Sequence, residues 1–156
     1  MNYPSPIPIL VCLCWLTAIV ESVGAPAGDL KLKAQLVWAT DDAKPKDKQL
    51  KELDTELGSK LRRIYKWKNY WEVTCKEIAP VTSIAQRHKL SPKCETELKK
   101  FDENTVEVKL YGEGKLVKTI RQSVKLLLRG EYLVLGGDDK EKYDDAWFVV
   151  FSVPKP

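Results

Sequence analysis

From Leu30 to Trp38, apolar residues recur at every second position as Leu30, Leu32, Ala34, Leu36 and Trp38, with Lys31, Lys33 and Gln35 between them. A period of two belongs to a strand with one buried face, and it restricts such a chain to sheet-based folds. Trp71, Val73 and Cys75 repeat the pattern, in a stretch rich in aromatic and β-branched residues. Further strand-like segments cover 82–88, 94–100, 105–111, 115–122, 131–135 and 146–153. Ser91-Pro92, Asp102-Glu103-Asn104 and Gly112-Glu113-Gly114 separate them, the last being a hairpin signal because glycine accepts the positive φ of a tight turn. Residues 146–153 are apolar on both faces and predict a central strand covered on two sides.

One segment has a different period. Leu50, Leu53, Leu57, Leu61 and Ile64 share one face of a helix, which Asp54 can cap for a core over 55–65 and Gly58 weakens. The expected class is therefore mainly β (α+β). It would be an antiparallel sandwich or partly open barrel of about seven to eight short strands, with one helix near 54–65 capping an end or edge. Trp38, Trp71 and Trp147 occupy apolar strand phases and are expected in one core.

The chain begins with another kind of segment. Residues 7–20 form an apolar block followed by Ser22-Val23-Gly24-Ala25-Pro26-Ala27, which reads as a secretory signal cleaved after Gly24 or Ala27. Its start lacks Lys and Arg, and the alternative is an uncleaved anchor. The block is shorter than the roughly 20 residues that span a bilayer, which favours cleavage and no membrane span afterwards. Cys12 and Cys14 lie inside the block as apolar filler. The expected organisation is a signal over 1–27 and a single β-rich domain over 28–156, secreted or periplasmic.

Export changes how the cysteines read. Cys75 and Cys94 survive cleavage, and one disulfide between them would close a loop of about 20 residues and stabilise by about 3 kcal/mol. Two free thiols are the rival reading. His88 is the single histidine and sits between cations in Gln86-Arg87-His88-Lys89, so an exposed strand residue is expected rather than a zinc ligand or a base.

The net charge is +4, and cleavage removes one carboxylate, Glu21, and no cation. Both signs are interspersed, as on a solvated surface. The densest basic stretch runs from Lys60 to Lys68, where Arg62, Arg63, Lys66 and Lys68 lie among aromatic residues and are candidate contacts for a polyanion. The bland reading is that Leu61, Ile64, Trp67 and Trp71 are core and the charges solvated, so weak polyanion binding is the expectation and no specific nucleic-acid partner is. Gly136-Gly137-Asp138-Asp139 is similar to the metal-holding hairpin of diguanylate cyclases over four residues only, and a glycine bend is the expected role. Asp138, Asp139, Asp144 and Asp145 match no calcium-loop spacing, so neither a metal nor a cofactor is expected.

The segments LVWATDD, KLRRIYKWKNYWEV, EYLVLGGDD and AWFVVF resemble small exported proteins of Verrucomicrobia and Planctomycetes-like bacteria. That resemblance implies no activity, partner or catalytic residue. The expected function is a non-enzymatic exported domain that binds an envelope protein or a polysaccharide. The main alternative is a small secreted hydrolase whose carboxylates converge only in the fold, with a deep pocket holding two acids as its mark.

Overall fold

Period-two patterning becomes two stacked antiparallel sheets in the computed structural model, which describes residues 30–42, 50–137 and 145–155. The elements run β1 (Leu32–Thr40), β2 (Lys51–Glu52), α1 (Thr55–Ile64), β3 (Asn69–Ile78), β4 (Gln86–Ser91), β5 (Cys94–Lys100), β6 (Thr105–Gly112), β7 (Lys115–Ser123), α2 (Val124–Leu128), β8 (Leu133–Gly137) and β9 (Ala146–Ser152). One sheet has the order β2-β3-β1-β9-β8 and the other β4-β5-β6-β7. The expected signal segment, Cys12, Cys14, Asp138, Asp139 and Asp144 lie outside the described residues.

β1 sits at the centre of the larger sheet, and both of its faces are covered. Leu32, Ala34 and Leu36 meet Leu98, Val106, Val108 and Leu110 of the smaller sheet in one buried cluster. Val37 and Ala39 look the other way and pack with Phe148 and Val150 beneath Leu57 and Leu61 of α1 in a second. The helix thus lies across a face of the five-stranded sheet instead of capping an end or edge, and the molecule has three layers. β9 lies between β1 and β8 and supplies Phe151 and Val149 to one cluster and Phe148 and Val150 to the other, so it is doubly covered.

α1 starts as its sequence dictates: Asp54 accepts a hydrogen bond from the Leu57 N–H at 3.0 Å. Leu57 and Leu61 are fully buried, but Ile64 is 69 % exposed, because the helix ends there and Tyr65 turns extended. The Gly112–Lys115 hairpin closes through Glu113 at φ 50° and Gly114 at φ 80°, the two positive φ values of a type I′ turn.

Three expectations need correction. The strand anticipated over 82–88 forms instead as β4, because Ser83 at φ 62° breaks the extended run. Two short elements, β2 and α2, carry too few residues to show a period. The third concerns Cys75. β3 has one extra residue, Val73, where pairing with β1 slips between Leu36 and Val37, and this bulge reverses the side-chain phase beyond it. Cys75 therefore pairs with Gln35 on the helix-side face, while Cys94 packs against the inter-sheet cluster. The expected Cys75–Cys94 bridge is absent and both thiols are free, with Cys75 exposed.

Candidate functional site

At the end of the larger sheet away from Leu32, register aligns Trp71 of β3 with Trp38 of β1, and Trp38 with Trp147 of β9. Directly paired residues share a face, so three indoles form one row across adjacent strands. Trp38 and Trp147 are stacked, with centroids 6.1 Å apart and planes 19° from parallel. The expected common core is a row instead: none of the three belongs to either buried cluster, and Trp147 is 38 % exposed. Its register partner on β8 is Gly137. The arrangement is a stack with Trp147 as the outward member and Trp38 behind it.

On the helix side, one residue earlier in β3, Tyr70 lies under α1 in the second cluster. It lines a recess of about 190 Å³ together with Glu52, Leu53, Gly58, Arg62, Asn69 and Trp71. Burial raises the Tyr70 phenol above its ordinary pKa, against the opposing influence of the Arg62 charge. The Tyr70 hydroxyl and the Trp71 indole N–H are both buried without a hydrogen-bond partner. A Cβ added at Gly58 would lie 3.4 Å from Arg62 Nη2, an ordinary van der Waals contact with the flexible end of that side chain.

The basic residues singled out by sequence are divided between the end of α1 and the link to β3. Arg62 and Arg63 occupy successive positions in the last turn of α1, about 100° apart around the axis. Lys66 lies over the Trp67 ring at 5.4 Å, and the Lys68 backbone N–H donates to Asp41. Of the neighbouring cations, Lys60 lies over Tyr132 at 4.6 Å and 3.3 Å from Glu56. Glu56 also accepts from Lys155, and these bonds hold its carboxyl below the usual range.

His88 is half-buried on the inward side of β4, not exposed as expected. It pairs in register with Thr96, which is fully buried, and its Nε2 and the Thr96 Oγ1 both lack partners. Burial, and then the Lys76 charge, lower its pKa and so favour the neutral imidazole. The outward side of the same sheet is a lattice of opposite charges. Lys109 bonds Glu97 at 2.8 Å, Arg87 bonds Glu95 at 2.8 Å and Arg121 bonds Glu107 at 2.8 Å.

A second, more open groove of about 420 Å³ runs between α1 and β8, lined by Leu57, Lys60, Leu61, Ile64, Arg129, Gly130, Glu131, Tyr132 and Val134. Each of the two recesses is lined by one carboxylate, Glu52 or Glu131, so neither brings together the two acids that a glycosidase needs. Among the described residues no three His, Cys, Asp or Glu side chains come close enough to hold a metal ion, and no helix is long and apolar enough to cross a membrane. The tryptophan row had a sequence signal, the apolar phase of each indole, but the shared register was not readable from it. No protein-family model, curated protein or solved structure matches this chain.

Proposed function

We propose that this is an exported, non-enzymatic domain that binds a polysaccharide, with the outward face of Trp147 as the contact ring. The observation that carries this reading is the indole row, whose exposed end ring is backed by the near-parallel ring of Trp38. A pyranose offers an apolar C–H face and a polar rim, and an indole offers a wide apolar face held with little loss of side-chain freedom. Trp38 restricts the rotamers of Trp147 before a ligand arrives, which reduces the ordering cost of binding. Export accounts for the setting, since the apolar block over 7–20 would deliver the domain to where such polymers lie.

Affinity electrophoresis through gels containing soluble glucans, xylans or chitin derivatives tests the proposal. Retardation in at least one polymer, abolished by Trp147→Ala while the far-UV circular dichroism is unchanged, is the expected result. Migration of parent and variant that is identical in every polymer would overturn it.

A further inference from the structure

The apolar side of α1 is only partly covered by the sheet. Leu57, Lys60, Leu61 and Ile64 lie three and four residues apart, so they share one side of the helix, and together they wall the groove of about 420 Å³ that runs to β8. Its base is apolar: Leu57 and Leu61 are fully buried, and Val134 points to the helix side with Val150, its register partner. Ile64, 69 % exposed, carries the same stripe out into solvent at the groove. β8 is an edge strand, so no further strand among the described residues closes that side.

We infer that this groove binds a single-chain carboxylate amphiphile, a free fatty acid, with its tail against Leu57, Leu61, Ile64 and Val134 and its head on Arg129. The volume falls within the roughly 300–1,000 Å³ of ligand pockets, and a flexible alkyl chain suits an open apolar trough better than a rigid polar ring does. Charge selects the head group. Lys60 and Arg129 line the groove against one carboxylate, Glu131. Counting Glu56 and Lys155, which pair with each other beside it, the excess stays at one positive charge. Lys60 is engaged, 3.3 Å from Glu56 and over the Tyr132 ring at 4.6 Å. Arg129 makes no salt bridge among the described residues, which leaves its guanidinium fork for a carboxylate. A monoanion balances that excess, and a cationic head would add to it. The groove lies on the helix side of the sheet and Trp147 on the other, so this inference and the polysaccharide reading stand or fall separately.

The test is a methyl-detected nuclear magnetic resonance titration that follows Ile64 and Val134. The probes are acetate, hexanoate, octanoate, decanoate and octylammonium, each below its micelle concentration. Octanoate and decanoate should shift both residues saturably. Affinity should rise about two- to fourfold for each added CH₂, the increment expected when a chain leaves water for apolar surface. Octylammonium, with the same tail and the opposite charge, should bind at least about tenfold more weakly than octanoate. Arg129→Gln should weaken octanoate about tenfold and bring it level with octylammonium, whereas Arg63→Gln, on the next helix position and outside the lining, should behave as the parent. Ile64→Ser alters a side chain that is already exposed, so the fold should survive while decanoate binding, followed at Val134, falls severalfold. Any of three results would overturn the inference: no saturable shift at Ile64 and Val134, octylammonium binding as tightly as octanoate in the parent, or equal losses in Arg129→Gln and Arg63→Gln.

Discussion

The two cysteines show how one residue redirects a sequence argument. The alternation of Trp71, Val73 and Cys75 reads as a single inward face, but the extra residue at Val73 places Trp71 and Cys75 on opposite faces of the sheet. A bulge leaves no mark in a period-two pattern this short, so the error was not avoidable from the residues. Its consequence is chemical. Burial, and then Glu95, push the Cys94 thiol up to about 11, while Cys75 is exposed and raised by burial and by Glu72. The thiolate is the nucleophile, so at neutral pH iodoacetamide should alkylate Cys75 well ahead of Cys94, and both should react equally in denaturant. Peptide mapping by mass spectrometry reads the order; a disulfide-linked peptide would contradict the free thiols.

Elements with a long period were legible and short ones were not. α1 follows its leucine spacing and its Asp54 cap because ten residues expose nearly three turns of pattern. β9 announced its two covered faces through Phe148, Val149, Val150 and Phe151. β2, with two residues, and α2, with five, offer no period to read, and both owe their existence to tertiary contacts. Gly58 marks where α1 departs from its best sequence. It sits mid-helix with ordinary backbone angles, and the nearest neighbour of an added Cβ is the flexible end of Arg62. Gly58→Ala should therefore stabilise the fold by about 0.5–1 kcal/mol, from reduced freedom of the unfolded chain. Urea unfolding at constant slope measures it, and a lower midpoint would show that the Arg62 guanidinium cannot move aside.

For the whole molecule, the two candidate surfaces lie on opposite sides of one sheet, the groove on the side of Tyr70 and α1 and the indole row on the side of Trp71. Alternation along a strand already puts the adjacent Tyr70 and Trp71 on opposite faces, but only the register with β1 and the placement of α1 assign Tyr70 to the helix side and Trp71 to the indole row. The same separation governs the basic stretch. Cations that grip a polymer must lie along one path, yet Arg62 borders the recess, Arg63 follows it around the helix, and Lys66 lies on the Trp67 ring. Exposed charges are also screened beyond about 8 Å at physiological ionic strength, which weakens any long-range pull on a polyanion. Binding to single-stranded DNA should therefore be detectable only at low salt and vanish at physiological salt, with Arg62→Glu and Arg63→Glu together weakening even the low-salt association. Fluorescence anisotropy across a salt series decides the matter: tight binding that persists at physiological salt and is abolished by the double reversal would make the end of α1 a polyanion site in its own right.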